Sequence, residues 1–504
     1  MSGYLLGFDI GSSAIKASLV DIDSGEMISS AGSPETEMTI TSRGPGWAEQ
    51  DPELWWTHMV AAMETISREN GTALQAVRAI GIAYQMHGLV VVDVDGRCLR
   101  ESIIWCDSRA VSYGRAAFKS LGEELCLKTL LNSPGNFTAA KLAWIKEQEP
   151  ELFKKIDKMM LPGEYLAYRM TGEAVTTPSG LSEGILWDFQ KNCPAELLLR
   201  HWGFDRSLLP EILPSFGDQG RVTARAAAEL GVPAGIPVSY RAGDQPNNAF
   251  SLNVLRPGEL AASAGTSGAI YGIAEKPLYD PLSRVNTFVH VNHGVDGDKY
   301  GVLLCLNGTG SFNRWLRQLL EGIVPGAMDY PVMNALASKA PAGADGLLLF
   351  PFGNGAERTL ENAAPGASIE NINFNLHSRN HLLRAAQESI VFALNYGIKI
   401  MAEMGISVQT IKTGRANMFL SPLFRQIFAT TTGARLEMYN TDGASGAARG
   451  AGVGAGIYRS FEEAFTSLTC EEVVEPDPGL TGTYSDLYDS WKTTLLRRLD
   501  KDTA

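Results

Sequence analysis

The sequence predicts an α/β protein of two related domains, on three observations. Residues 5–20 (LLGFDIGSSAIKASLV) read as two apolar strand runs joined by the polar turn Gly11-Ser12-Ser13. Residues 259–274 (ELAASAGTSGAIYGIA) repeat that plan in the second half of the chain, around Gly265-Thr266-Ser267. The chain has 504 residues, more than one hydrophobic core usually organises, so two domains are expected. The repeated hairpin reads as an internal duplication. Pro257-Gly258 punctuates the chain just before the second hairpin, which predicts domains at 1–254 and 255–504.

The turns point to chemistry. Gly11 allows close approach of backbone or ligand, and successive N–H groups in such a turn can form an anion-binding concavity. Asp9 stands just before it. A carboxylate beside a phosphate is unfavourable unless a divalent cation lies between them, since hard cations take both kinds of oxygen together. Two such turns facing each other would close around a nucleotide.

Hydrophobic residues at 45% and charged residues at 20% suit a soluble globular protein. A net charge of -13 argues against a nucleic-acid partner, which needs a basic face. It does not argue against a phosphorylated ligand that arrives with magnesium. Cys98, Cys106, Cys126, Cys193, Cys305 and Cys470 form no C-x-x-C pair and read as small apolar residues in a reducing compartment. The N-terminus runs straight into a strand, without a basic region or cleavage site. No apolar run reaches the roughly 18–20 residues of a membrane span. A cytoplasmic protein with no membrane partner is expected.

Along the chain, a turn at 21–25 leads into a third strand. Asp51-Pro52 should start a helix, with Asp as cap and Pro in the first turn. Trp55, Met59, Ala62, Met63 and Ile66 recur at helical spacing and read as core. Residues 77–83 form a strand that runs into Tyr84-Gln85-Met86-His87-Gly88. Ligands sit at the carboxyl ends of strands in open α/β sheets, and a polar interruption is costly to bury without partners. A lone histidine is more often packed than functional, but Gln85 and Gly88 beside it favour a site. Residues 103–109 read as a strand ending in Asp107 and Arg109, expected as a surface ion pair of little energetic weight. Asn136 precedes a helix carrying Lys141 and Trp144.

Residues 238–242 form another strand, Gly243 turns, and Asp244 is displayed before a helix. That carboxylate is a candidate general base or metal ligand, or else a helix cap. Residues 305–315, with Gly310, lead through glycines into a helix, and 352–358 (FGNGAER) are a loop. An amphipathic helix is expected over 382–397. Residues 411–416 read as a strand leading through Gly414 to a helix from Asn417, whose N–H groups could serve a phosphate or adenine. Residues 442–448 predict a small-residue helix suited to close packing. The acidic stretch from Glu471 reads as an exposed tail.

Taken together these motifs resemble the FGGY carbohydrate kinases from end to end, and most of all the xylulokinases. Asp9-x-Gly11-Ser12-Ser13-x-x-Lys16 is similar to the family's first phosphate turn, and Gly265-Thr266-Ser267 to its second. Trp47-x-Glu49-Gln50-Asp51-Pro52, Trp105-x-Asp107-x-Arg109 and Phe137-Thr138-x-x-Lys141-Leu142-x-Trp144 also agree. Gln85-Met86-His87-Gly88 resembles the xylulokinase sugar-binding turn, and Gly243-Asp244 the catalytic pair.

The resemblance implies two ribonuclease-H-like, actin-like domains with an ATP and sugar cleft between them. It implies Asp244 as the base for the sugar hydroxyl and Asp9 as the magnesium ligand, through water. Gln85, Met86, His87, Asp107 and Asn136 would join Asp244 around the sugar. Gly11, Ser12, Ser13, Lys16, Gly265, Thr266, Gly310, Gly414 and Asn417 would hold ATP. The implied reaction is ATP-dependent phosphorylation of a ketopentose, D-xylulose at its 5-hydroxyl. Two alternatives stay open: a kinase for ribulose, another sugar or a polyol, and a catalytically weak nucleotide-binding paralogue. Gln245-Pro246-Asn247 and Thr413-Gly414-Arg415 depart from the family pattern and bear on that choice. The implied partners are ATP and a small sugar, with a homodimer left open.

Overall fold

Two sheets organise the protein, and they share a topology. The computed structural model describes residues 3–295, 297–322 and 328–502. The first sheet contains β1 (Tyr4–Ile10), β2 (Ile15–Asp21), β3 (Met27–Ser33), β4 (Val77–Tyr84) and β5 (Val238–Gly243). The second contains β6 (Gly258–Ala264), β7 (Gly268–Ala274), β8 (Asn286–Val289), β9 (Tyr300–Leu306), β10 (Val408–Gly414), β11 (Arg435–Tyr439) and β12 (Cys470–Val474). Their orders are β5-β4-β1-β2-β3 and β8-β9-β7-β6-β10-β11-β12.

Each sheet has the same five-strand heart. β1 and β6 open antiparallel hairpins with β2 and β7, in the registers Asp9↔Lys16 and Ala264↔Gly268. A third antiparallel strand follows, β3 or β9, and two parallel strands extend the other side, β4 and β5 or β10 and β11. The duplicated plan expected from the two hairpins is therefore present across the strand order of both sheets.

Seven helices matter below: α1 (Pro52–Leu74), α2 (Thr138–Gln148), α3 (Asp244–Ser251), α4 (Gly310–Glu321), α5 (Arg379–Glu403), α6 (Gly443–Gly454) and α7 (Thr481–Asp502). Leu5, Leu6, Phe8 and Ile10 of β1 are all fully buried, because helices cover both faces of the sheet. On one face lies α1, capped by Asp51, which accepts from the Glu53 N–H at 3.0 Å. It presents Trp55, Met59, Ala62, Met63 and Ile66 to the core, as the spacing predicts. On the other face lies α6, a helix from the second half of the chain. A side chain on Gly7 or Gly81 would run into its backbone at Ala444 or Ala447. The small residues of 442–448 thus do serve close packing, and they serve it between the two halves.

Three expectations are corrected. The acidic stretch from Glu471 is not an exposed tail. It forms edge strand β12, paired antiparallel with β11, and its acids face arginines: Glu472 meets Arg425 at 2.9 Å and Glu475 meets Arg435 at 3.3 Å. Helix α7 follows and buries Tyr484 and Trp491, and the Trp491 indole N–H donates to Leu349 O at 2.9 Å. Acid content concealed a strand whose partners are cations. The helix expected from Asn417 is a single 3-10 turn, Asn417–Leu420, and the α-helix Pro422–Thr432 begins only after Ser421 caps it. The strand expected over 103–109 is confined to Ser102–Ile103. All six cysteines are free. No described helix is long and apolar enough to cross a membrane.

Candidate active site

The first hairpin turn is braced from outside. Gly11 N–H donates to Ala14 O at 3.1 Å and Met38 N–H to Ser13 O at 2.8 Å. Gln50 Nε2 donates to Ser12 O at 2.7 Å, and Trp105 Nε1 to Ser12 Oγ at 3.3 Å. Asp9 lies across the hairpin from Lys16. The start of α6 abuts it, since a side chain on Gly443 would strike the Asp9 carboxylate. Burial pushes the Asp9 carboxyl up to about 6, with Lys16 opposing the shift and Asp442 adding to it.

Asp244 is the first residue of α3, and Gly243 occupies the cap position, so the cap reading does not hold. Burial, and then the charge of Asp9, push the Asp244 carboxyl up to about 7, against hydrogen bonds from Gln245. Its field also raises the Cys305 thiol, after burial and Glu357. Cys305 pairs in register with Ala269, just beyond the second turn. Asp244 is therefore coupled to Asp9 beside the first turn and to Cys305 in β9, the strand next to β7. The unusual Gln245-Pro246-Asn247 stretch continues a regular helix, and Asn247 Nδ2 ties it to α6 by donating to Gly443 O at 2.9 Å.

The turn after β4 meets Asp244 through Gly243. A Cβ on Gly243 would stand 2.5 Å from Glu183 Oε2 and 2.6 Å from Met86 Cγ. Only glycine lets the Gly243-Asp244 turn settle onto the Met86 side chain. Gln85 donates from its backbone N–H to Ile10 O at 2.8 Å and from Nε2 to Gln50 Oε1 at 3.3 Å, while its Oε1 is buried without a partner. His87 has a positive φ of 61°, a conformation uncommon outside glycine. Its Nδ1 lies 2.8 Å from Glu183 O. A carbonyl can only accept, so Nδ1 carries the proton and Nε2 is left as an acceptor. Burial, and then the Lys141 charge, bring the imidazole down to about 3, so it is neutral throughout the physiological range. Lys141 Nζ in α2 donates to His87 O at 2.7 Å and secures the turn.

Asn136 donates from Nδ2 to Asp107 O, and its Oδ1 is buried without a partner. Asp107 itself is fully engaged. Ala48 N–H donates to its Oδ2 at 2.6 Å, Arg109 Nη2 to Oδ2 at 2.7 Å, and Arg109 N–H to Oδ1 at 2.9 Å. The Asp107–Arg109 pair is buried, with side chains 0% and 1% exposed, not the surface pair expected. The Trp47 ring lies 3.8 Å from the guanidinium carbon and the Trp144 ring 4.8 Å from it, and together they shut out water.

In the second lobe, the start of α4 is bonded to the second turn. Gly310 N–H donates to Gly265 O at 2.7 Å and Ser311 N–H to Thr266 O at 3.1 Å. Asn417 has a φ of 55° and brings Nδ2 within 3.3 Å of the Cβ position of Gly265. Gly265, Thr266, Gly310 and Asn417 thus form one cluster, with Gly414 at the end of β10 three residues away. Arg415 turns outward to Glu471 at 3.4 Å, away from that cluster. Gly11, Ser12, Ser13 and Lys16 form the corresponding group beside Asp9.

Glu183 and Arg358 belong to this neighbourhood and escape sequence reasoning. Both Glu183 carboxyl oxygens are buried, and neither makes a hydrogen bond of full geometry, the Tyr84 phenol being the nearest donor. Burial raises that acid well above the usual range, the Tyr84 phenol opposes the shift, and Glu164 and Asp244 add to it. Glu183 sits in no motif singled out above, and Arg358 only closes the loop 352–358, which by itself marks no site. Among the described residues, no group of three or more His, Cys, Asp or Glu could hold a metal ion by itself. A single enclosed carboxylate such as Asp9 nevertheless suits magnesium, which keeps several waters and binds through one or two carboxylates plus substrate phosphates.

Paired hairpin turns on two lobes, an enclosed carboxylate coupled to Asp9 of the first hairpin and a neutral imidazole on the turn that packs against Gly243 fit a phosphotransferase acting on a small alcohol. Residues 4–251 match the N-terminal domain of the FGGY family of carbohydrate kinases, and residues 260–456 match its C-terminal domain. The chain belongs to the FGGY family and is an ATP-dependent carbohydrate kinase. It is 30% identical over 480 residues to the xylulose kinase of Escherichia coli (strain K12), covering 94% of each chain. The structure of xylulose kinase from Rhodospirillum rubrum matches with a TM-score of 0.87 and 26% identity, covering 98% of each chain. Gluconate kinase from Lactobacillus acidophilus shares the fold, with a TM-score of 0.89, 21% identity and 99% of each chain covered. Kinases named for different acceptors therefore share this architecture, and the fold alone does not select the sugar.

Proposed function

We propose that the protein transfers the γ-phosphoryl group of ATP to the 5-hydroxyl of D-xylulose, with Asp244 as general base. The similarity to xylulose kinases supports the sugar. The observation that carries the reading is the junction at Gly243, where the Met86-His87 turn and the base share one packing contact. Residues 1–254 form the sugar lobe with the first turn and the base, and 255–504 form the nucleotide lobe except for α6, which packs on the first sheet. The reaction belongs in the cytoplasm, where six free cysteines stay reduced.

In this reading the sugar hydroxyl gives its proton to the Asp244 carboxylate as its oxygen bonds to the γ-phosphorus. The bond to the bridging oxygen breaks and ADP leaves. Such transfers depend chiefly on positioning and charge stabilisation. His87 Nε2 accepts a hydrogen bond from one sugar hydroxyl. Asn136 Oδ1 and Gln85 Oε1, both buried without partners, accept from others, since a buried acceptor is rarely left unpaired. Asp107 contributes by holding Asn136. Gly11, Ser12, Ser13 and Lys16 face the polyphosphate from one lobe, and Gly265, Thr266, Gly310, Gly414 and Asn417 hold the nucleotide from the other. Asp9 would hold magnesium through water, and the ion would supply positive charge to the polyphosphate.

A coupled assay of ADP release over D-xylulose, D-ribulose, gluconate and glycerol tests the assignment. The highest kcat/KM is expected with D-xylulose. A better acceptor among the others would replace it, and ATP hydrolysis unaffected by any sugar would replace the kinase reading with a nucleotide-binding role.

Asp244 also predicts a pH dependence. Only its ionised form can accept the proton, and its pKa is raised to about 7. kcat/KM should therefore fall about tenfold per unit as pH drops below 7, and flatten above about pH 8. The linkage to stability has the opposite sense. A raised carboxyl pKa favours the protonated folded form, so this group's contribution is full below the ordinary aspartate value of 3.8 and is lost as pH rises through about 7. A rate flat from about pH 5.5 to 8 would exclude Asp244 as the titrating base.

A further inference from the structure

Arg358 lies in the second lobe, in the turn Glu357–Leu360, and its half-buried guanidinium reaches across to the first. Nη1 donates to Ser133 Oγ at 2.8 Å and to Ser283 Oγ at 3.4 Å. The guanidinium carbon lies 4.6 Å from the centroid of the Phe137 ring. Phe137 in turn meets His87 edge to face, with centroids 4.8 Å apart. Gly135 accommodates the arginine, since a side chain there would collide with Nη2. Phe288 of β8 touches both rings, 6.2 Å from Phe137 and 5.5 Å from His87. Beside them, Asn132 Nδ2 donates to Thr287 O at 2.7 Å, and Thr287 N–H donates to Asn132 Oδ1 at 3.0 Å. The ring pair behind the sugar turn is thus gripped by the second lobe.

Keeping a cation there is costly. Burial lowers the guanidinium to about 10, with only Glu357 opposing, and its hydrogen-bond partners are two neutral hydroxyls. Well-packed apolar side chains usually stabilise such a place as well or better. The charge and the planar fork therefore serve something besides packing.

We propose that Arg358 is a positioning residue for sugar recognition, carrying the placement of the second lobe into the His87 turn through the Phe137 ring. The proposal rests on the reading of His87 as a sugar contact. Movement of the nucleotide lobe shifts Arg358, Arg358 fixes the tilt of Phe137, and Phe137 fixes the imidazole whose Nε2 receives the sugar hydroxyl. Sugar affinity is then coupled to lobe closure without Arg358 touching the sugar.

Steady-state kinetics on the full chain, with ATP and D-xylulose, test this. Arg358→Met should raise the sugar KM about tenfold, the size expected for coupled contacting residues, with ATP KM changed less than about twofold. Phe137→Leu should do the same, and the double variant should add little to either single one. Arg358→Lys should fall between, and added guanidinium chloride at low millimolar concentration should partly restore Arg358→Met. Should Arg358→Met fail to fold, Arg358→Lys and Phe137→Leu carry the test. An unchanged sugar KM, ATP and sugar KM rising together, or fully additive variants would overturn the proposal. His87→Ala separates the two failures. If it leaves sugar KM unchanged, the sugar-site reading falls. If it raises sugar KM while Arg358→Met does not, only the coupling falls.

Discussion

Asp244→Asn is expected to lower kcat by about 10²- to 10⁴-fold, the range general-base removal commonly costs, while ATP KM and the fold survive. The amide matches the carboxylate in shape, and Asp244 is the first residue of α3 and not its cap. The substitution therefore takes a charge and a proton acceptor, while the Asn Oδ1 can still accept the bond from Gln245 at the helix start. Its stability should not fall above neutral pH and should rise slightly, because ionising an enclosed carboxyl beside Asp9 is what raises its pKa to about 7. The two readouts separate catalysis from folding. Turnover falls and the melting temperature at about pH 8 stays level or climbs. The pH limb near 7 should also vanish from whatever activity remains. A variant that turns over at near-normal rate would remove the proposed base, and one that loses turnover together with its melting transition would assign Asp244 a structural role.

The legible parts of this protein are those whose signal is local. Both hairpins announce themselves by a small polar turn between apolar runs, and the Asp51-Pro52 start of α1 by cap chemistry. Asp244 stands out because a strand, a glycine and a helix leave it displayed. The less legible parts depend on partners distant in sequence. The small residues of α6 imply close packing, but nothing local says that the packed surface is β1 and β4, more than three hundred residues earlier. β12 reads as a tail because its acids look solvated until Arg415, Arg425 and Arg435 are brought beside them. Glu183 and Arg358 carry no pattern, since an enclosed carboxyl or a cation over a ring exists only in three dimensions. Arg109 shows the same difficulty in energetic form: its spacing from Asp107 is visible, but the tryptophans that remove the pair from water are not.

That burial makes Arg109→Met the largest expected loss of stability. Arg109 bonds to Glu49 Oε1 at 2.8 Å and to Asp107 Oδ2 at 2.7 Å, with its side chain 1% exposed. Methionine fills much of the volume between Trp47 and Trp144 but leaves the Asp107 carboxylate enclosed with only backbone N–H donors. Glu49 keeps Arg100 as a partner, so the stranded charge is chiefly Asp107. Removing one member of a buried pair costs about 3–5 kcal/mol, or a fall in Tm of roughly 6–20 °C for a lobe of this size. The asymmetry of buried polar groups gives a second expectation. Asp107→Asn placed in the Arg109→Met background should recover part of the loss, because it removes the uncompensated charge. A double variant less stable than Arg109→Met would mean that packing against the tryptophans, not the ion pair, holds this region. Function should follow stability here. Asp107 O accepts from Asn136 Nδ2, so loosening the loop moves the amide proposed to meet the sugar, and sugar KM should rise while ATP KM does not.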